Sequence, residues 1–531
     1  MIVVESARPT KNGANAPFFF CCAYDGSDEP LFTDFFTIFA LVKPKPTMQP
    51  TIVLAVIAAY IALLFAVAYF SGKRADNQGF FVGNRSSKWY VVMFAMIGAA
   101  MSGVTFVSVP GMVAASGFSY VQMTLGFFVG QLVIAFVLIP LFYRMQLVSI
   151  YGYLEERFGN GSHKTGAWFF FISKLLGASV RLYLVCVVLQ LLLFEPYGLP
   201  FGANAAIMVV LVLLYTFQGG VKSLIWTDSL KTLCLLASIV LCIWCIVGRL
   251  DMSVGQMVAT VADSDYSRTF FFDDVNDRRY FFKQFFAGVF ALVATTGLDQ
   301  DLMQRNLSCR NRTDAQKNIV LSSLLQTVVI LLFLLLGAML YIFAERTGIA
   351  LPAESDNVFA AVATSPQLPL IVGIMFVLGL ISSTYSAAGS ALTALTTSFT
   401  VDVLDGPKRF DERRLTKVRK GVHIAMAAAM FAVVLALHAL NNTNAIDAVY
   451  TLVSYTYGPI LGMFAFGILT KWQVRDRYVF VVAIIAPVLC YILQRNSQAW
   501  FGGYTFSYEL LIVNAAIMFA GMALLKKRSR G

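Results

Sequence analysis

Charge is scarce in this chain. Of its 531 residues, 13% are Asp, Glu, Lys or Arg and 58% are hydrophobic. A soluble core of that length needs far more polar surface, so a soluble globular protein is excluded. Histidine is nearly absent, at His163, His423 and His438 only, which leaves too few imidazoles for a transition-metal centre. Among the eight cysteines, Cys242 and Cys245 form a C-x-x-C inside an apolar stretch with no flanking His or acid. Thiols in that setting act as small packing groups. Period-two alternation of apolar and polar residues is also missing, which argues against an outer-membrane barrel. What the chain has instead is a series of apolar runs of about 20 residues, each able to cross a ~30 Å hydrocarbon layer as a helix.

The runs fall near 51–71, 89–113, 118–142, 166–194, 204–217, 224–248, 281–303, 318–343, 367–397, 421–438, 448–470, 478–493 and 508–525. The fold class they define is an all-α integral membrane protein with about thirteen transmembrane helices. The net charge of +11 sits in alternate loops. Lys73, Arg74, Arg85 and Lys88 follow the first run, and Arg144, Arg157 and Lys164 the third. Arg305, Arg310, Arg312 and Lys317 follow the seventh, and Lys408, Arg409, Arg413, Arg414, Lys417, Arg419 and Lys420 the ninth. Lys526, Lys527, Arg528 and Arg530 close the chain, whereas the longest intervening segment, 249–280, is net acidic. By the positive-inside rule the C-terminus is cytoplasmic and the first span starts outside, in a multi-pass protein of the cell (inner) membrane. The surplus charge is an orientation signal, so the bilayer is the partner and nucleic acid is not.

Residues 1–47 mix Pro, Asp and aromatics without periodicity, and Met48 directly precedes the first span. The expectation is a start at Met48, with 1–47 a mis-assigned or disordered extension. The remainder divides into a leading helix and loop (48–87), a first half (88–248), the acidic outer segment (249–280), a second half (281–471) and two final helices with a basic tail (472–531). Five helices per half is an odd number, so two consecutive halves have opposite topology. Inverted repeats of this kind hold solute and ion near the midplane, where broken helices expose ligands. The segment IGAAMSGVTFVSVPGMVAASG, 97–117, carries Gly98, Gly103, Pro110, Gly111 and Gly117. It is the candidate broken helix, glycine packing being the alternative.

Hydrocarbon cannot hydrogen-bond a hydroxyl, yet LGLISSTYSAAGSAL, 378–392, gathers Ser382, Ser383, Thr384 and Ser386. Neighbouring helix residues point about 100° apart, so two hydroxyls can flank a concave site. A hard monovalent cation such as Na+ takes several oxygens of this type. Back-bonding to the helix itself is the competing reading. In GGVKSLIWTDSLKT, 219–232, Asp228 lies one turn inside a span, where a carboxylate costs a few kcal/mol unless it faces a cavity or a cation. Lys231, three residues on, is the local partner for an ion pair. In LDQDLMQR, 298–305, Asp299, Asp301 and Arg305 combine an i,i+4 pair with a second acid. An inner-gate network and a solvated helix end both fit, and the second is the simpler.

The glycine pair before IWTD, the ISS step at 381–383 and QRNLSCRNRTDAQKNIV at 304–320 together resemble the sodium/solute symporter family, over about residues 50–525. The resemblance implies the leucine-transporter type fold, in which two inverted five-helix repeats carry one N-terminal and two C-terminal helices. It also implies a sodium site at the carbonyls of Gly98, Met101 and Gly379 and the hydroxyls of Ser382 and Ser383, with Asp228 beside it. A further sodium site of some members would use Asp228, Ser382 and positions that are Tyr385 and Ser386 here. The tyrosine and the nearby Lys231 argue for one Na+ per cycle. Solute-contact positions of sugar-carrying members fall on Thr105, Thr124, Phe290 and Gln326, and their covering aromatic on Val293. A hexose needs many oriented hydrogen bonds, so this set disfavours sugar. Sialic-acid members hold the substrate carboxylate with an arginine one turn before Arg181, where this chain has Gly177. Arg181 is therefore either an anion clamp, for which a guanidinium is suited, or a structural cation.

The implied function is secondary active transport of a small organic solute coupled to Na+, with Na+ as coupling ion and no other cofactor or metal. One charge crossing ~100 mV releases about 2.3 kcal/mol, and a tenfold sodium gradient adds about 1.4. The alternatives are a sodium-dependent sugar transporter of the same family, or a channel or sensor without solute coupling. An enzyme is not expected, because the intramembrane polar residues offer no convergent acid, base or metal set.

Overall fold

In lipid every backbone polar group has to be satisfied within the protein, and uninterrupted helices do this locally. The computed structural model describes residues 50–527, apart from 73–75, 191–193, 196–197, 218, 353–354, 441–442, 503, 505 and 507–508. The expectation for residues 1–47 thus lies outside the described residues. The principal helices are α1 (Pro50–Gly72), α2 (Trp89–Ala100), α3 (Gly103–Gly111), α4 (Tyr120–Val133) and α5 (Asn160–Leu189). Next come α6 (Phe201–Thr216), α7 (Val221–Arg249), α8 (Val254–Ala262), α9 (Phe281–Leu292), α10 (Gln300–Asn306) and α11 (Arg312–Thr347). The chain ends with α12 (Leu370–Ser398), α13 (Glu412–Leu440), α14 (Thr443–Leu469), α15 (Val479–Trp500) and α16 (Leu510–Leu524). Among the described residues, seven helices are long and apolar enough to span a membrane, or nine if each of two bent pairs is one span.

The bent pairs position everything that follows. The first bends by 65° between Trp89–Ala100 and Thr105–Gly111, and the second by 74° between Phe281–Gly297 and Gln300–Asn306. The first is the break that the glycines of 97–117 predict. The second falls inside the apolar run 281–303, which by its pattern predicts one continuous span. A π-turn over Val293–Gly297 runs into Leu298, Asp299 is extended, and the Asp299 side chain then accepts from Asp301 N and Leu302 N to cap α10. A carboxylate that satisfies free N–H groups restarts a helix after a break, which apolar periodicity does not reveal.

Close backbone approach holds the bundle together. A Cβ on Gly126 would fall 2.1 Å from Phe285 O, and one on Gly288 2.4 Å from Met123 O. Helices α4 and α9 therefore cross with their backbones in contact, as small residues permit in membranes. The acidic segment 249–280 is not a bare loop. It contains α8, opened by a Ser253–Gln256 capping box. Its return is docked on α4, where the Gln122 amide donates to Arg279 O at 2.8 Å and accepts from Phe271 N at 3.0 Å.

Candidate functional site

Polar groups gather where α2 stops. Met101 is extended, its N–H still reaching Ile97 O, and Ser102 caps α3 by accepting from Thr105 N at 3.2 Å. Among the described residues, no backbone N–H is bonded to the carbonyl of Gly98 or of Met101. Gly98 lies flat on α7: a Cβ there would fall 2.7 Å from Asp228 O and 2.4 Å from Thr232 Oγ1. The missing side chain is what brings the Asp228 turn beside the break. From the other side comes α12, where a Cβ on Gly379 would meet the Phe106 ring of α3 at 2.8 Å.

Ser382 and Ser383 follow on that helix, both fully buried. Ser382 Oγ donates to Gly379 O at 3.1 Å and Ser383 Oγ to Leu380 O at 2.9 Å. The hydroxyls thus bond back to their own helix, as the competing reading of this stretch has it. Such a bond uses the proton and leaves the lone pairs, so either oxygen can still face a cation. Tyr60 of α1 adds a buried hydroxyl close to Ser382 and Asp228. The Tyr385 and Ser386 side chains lie outside those described.

The ion pair of Asp228 is not with Lys231. Arg305 Nε donates to Asp228 Oδ2 at 2.9 Å, and its Nη1 donates to Asp301 Oδ1 at 2.6 Å. Lys174 of α5 then bridges Asp301 Oδ2 at 2.8 Å and Asp299 Oδ2 at 3.1 Å. Tyr457 of α14 donates to Asp299 Oδ2 at 2.5 Å, and Ser390 of α12 to Asp301 Oδ2 at 3.1 Å. Asp299, Asp301 and Arg305 are 2%, 4% and 0% exposed, so the solvated helix end is corrected to a buried network. With Lys231, also buried, three cations stand against three carboxylates. Charge balance and satisfied oxygens are what make such burial tolerable. The local pattern missed Lys174, Tyr457 and Ser390. Lys174, a lysine inside the apolar run 166–194 and seven residues before Arg181, was the available signal.

A family model for the sodium:solute symporter family matches residues 80–475. The chain belongs to the sodium:solute symporter family. It is accordingly a membrane transporter and not an enzyme. The symporter is 24% identical to the human sodium/iodide cotransporter over 415 residues, covering 75% of this chain and 62% of that one. It is 22% identical to the sodium/sialic acid symporter SiaT of Proteus mirabilis over 456 residues, covering 83% and 89%. Its fold is similar to a substrate-bound, outward-open Na+-coupled sialic acid symporter, with a TM-score of 0.73, 18% identity and coverage of 90% and 99%.

The remaining positions of the symporter fall as follows. Thr105 is buried and its Oγ1 lies 3.0 Å from Ser102 Oγ, at the break itself. Thr124 is buried and donates to Tyr120 O at 2.9 Å. Gln326 of α11 has a buried Nε2 with no hydrogen-bond partner among the described residues. Phe290 continues the exposed stripe of Phe282 and Phe286 at i+4 spacing. Arg181 is half-buried on α5, near Tyr457 and Lys231. Among the described residues no carboxylate lies within ion-pair distance of it.

Proposed function

We propose that this symporter imports a small organic anion, a carboxylate by preference, with one Na+ per cycle. The ion is held at the break after α2 by the carbonyls of Gly98, Met101 and Gly379 and the hydroxyls of Ser382 and Ser383, with Asp228 beside them. The observation that carries this is the pair of carbonyls at Gly98 and Met101 that accept no backbone N–H among the described residues, close to a buried carboxylate and two buried hydroxyls. A dehydrated alkali ion takes such oxygens, and helix breaks in transporters supply them.

Arg181 is the reading's anion clamp. A half-buried guanidinium without a carboxylate partner is costly in a membrane and is relieved by an incoming anion, which it grips through two parallel hydrogen bonds. Gln326 supports it as a donor with an unpaired buried N–H, and Thr105 and Thr124 are the smaller polar contacts. Phe290, on an exposed stripe, is the weakest of the proposed solute positions.

Two inverted five-helix halves account for the two breaks, each in the first helix of its half. On this arrangement the C-terminus is cytoplasmic and the first span starts outside. The network of Arg305, Asp301, Asp299 and Lys174 is the inner gate, closing α10 against α5, α7 and α14. Sodium stabilises the outward-open state, and its release inward frees the halves to move.

Uptake into sealed vesicles tests the reading. Radiolabelled carboxylates should accumulate against their gradient when Na+ is outside and should not in choline medium. Equal accumulation without sodium would overturn it, as would a sodium leak with no solute uptake.

A further inference from the structure

Four arginines line one cleft, and among the described residues none of them meets a carboxylate. The cleft, of about 700 Å³, lies at the end of the span Tyr120–Arg144 and is lined by Arg85, Arg144, Arg310 and Arg312. Among the described residues, none of the four is in an ion pair. Other basic loops behave differently: Lys408 pairs with Glu155 at 2.6 Å, and Lys164 with Asp405 at 3.0 Å. The nearby Asp314 does not line the cleft, and its side chain faces Asn311 at 3.4 Å. A topology signal needs only basic loops. It does not need four guanidiniums in one cleft with no lining acid, an arrangement whose net positive field favours an anion.

The frame behind them is rigid. Ser87 N donates to Ser308 O at 3.0 Å, tying the Arg85 loop to the Arg310 loop. The Tyr143 hydroxyl donates to Cys309 O at 2.9 Å, and Arg85 Nη2 to Leu147 O at 2.8 Å. Arg85 Nη1 is buried with no partner. Arg85 and Gln146, both lining residues, hold positive φ of 48° and 51°, a cost that persists where the surroundings impose it.

The other wall is apolar. Val137, Pro140 and Leu141 line it, and with Val133 they form one stripe that ends at Arg144. Val133 and Val137 are 36% and 42% exposed. In a bilayer such a stripe faces acyl chains, and its last turn reaches the headgroup level.

We infer that this cleft binds the headgroup of an anionic phospholipid, its phosphate on the arginines and its acyl chains along the Val133–Leu141 stripe. Guanidinium forks match phosphate oxygens bidentately, and basic pockets between helices at the cytoplasmic face suit such headgroups. The inference is independent of the transport site and rests on the proposed orientation, which puts this cleft at the cytoplasmic face.

Native mass spectrometry and thermal melting of the purified full chain test it, with phosphatidylglycerol and phosphatidylcholine of identical acyl chains as probes. Phosphatidylglycerol should be retained and should raise the melting midpoint, whereas phosphatidylcholine should do neither. The triple variant R144Q/R310Q/R312Q, confined to exposed positions, should lose about a hundredfold in relative lipid affinity, the equivalent of ~3 kcal/mol. A control of equal charge change, R413Q/R414Q/K417Q, should bind as the unaltered chain does. Should the triple variant not fold, the unaltered chain in about 1 M choline chloride serves instead, since screening should release the lipid. Equal retention of both lipids, or retention undiminished in both the triple variant and high salt, overturns the inference. A full melting shift from inorganic phosphate without retained lipid overturns the lipid assignment in favour of a soluble anion.

Discussion

Arg305 on α10 donates through Nε to Asp228 on α7, 2.9 Å away and 77 residues earlier in the chain, and both side chains are sealed from solvent. The same guanidinium turns Nη1 to Asp301 at 2.6 Å, so one arginine spans two carboxylates on different helices. Because Asp228 also touches the Gly98 turn through its backbone, the proposed sodium site and the proposed gate share a residue. Removing either partner strands a buried charge, which typically costs about 3–5 kcal/mol. Arg305→Gln and Asp228→Asn should therefore each lower the melting midpoint sharply. The double variant should recover part of the loss, as a thermal melting cycle reports. Strictly additive losses would show that the two side chains do not interact.

Ser382→Ala and Ser383→Ala each remove one oxygen from the proposed ion shell. Loss of a hydrogen-bond-class ligand to a charge is worth about 1.5–3 kcal/mol. The half-saturating Na+ concentration for uptake should rise at least about tenfold in each variant, while solute-independent folding is retained. Unchanged sodium dependence in both would remove these hydroxyls from the site.

Arg181→Lys keeps the charge and loses the fork. If the arginine grips a carboxylate bidentately, uptake of the anion should fall in Arg181→Lys and vanish in Arg181→Gln, with Na+-induced stabilisation preserved in both. A purely structural Arg181 would instead lower the melting temperature and impair sodium stabilisation along with uptake.

Gly98→Ala places a methyl group 2.4 Å from Thr232 Oγ1 and 2.7 Å from Asp228 O. One of those contacts is backbone, so α2 and α7 must separate. Overpacking of this kind costs roughly 1–3 kcal/mol, and here it also displaces a proposed ligand carbonyl. Lower thermal stability together with weaker Na+ dependence is the expected pair of effects. A normal sodium response in a destabilised Gly98→Ala would confine the glycine to packing.

One Na+ moving with one monovalent anion carries no net charge. The membrane potential then contributes nothing, and accumulation is limited to the sodium gradient itself, about tenfold for a tenfold gradient. A neutral solute would gain the further ~2.3 kcal/mol per 100 mV. Initial rates measured while a potassium diffusion potential is varied should therefore stay flat for the anion. A rate that rises with inside-negative potential would require a second coupling cation.

Much of the proposed site was legible where the signal was local. Asp228, Ser382 and Ser383 declared themselves because polar atoms in an apolar run are costly, and Gly98 because glycine clusters interrupt helices. The Asp301–Arg305 pair was legible from i,i+4 spacing. Its burial was not, because a helix end that runs into a basic loop looks solvated until the break at Leu298–Asp299 turns it inward. Lys231 was the nearest cation to Asp228 by number, yet Arg305 reaches it across the bundle. The four-arginine cleft could not be read at all, since its members come from three segments far apart along the chain.

The chain's residence in a bilayer, its helical class and its oxygen-rich segments follow from the sequence by itself, because run length, composition and helix periodicity are properties of neighbours along the chain. Which charges meet, which carbonyls stay unbonded and which arginines remain without an acid were decided only by the tertiary structure. Those pairings depend on distances between helices far apart in sequence, and a few ångströms separate a buried ion pair from two solitary charges.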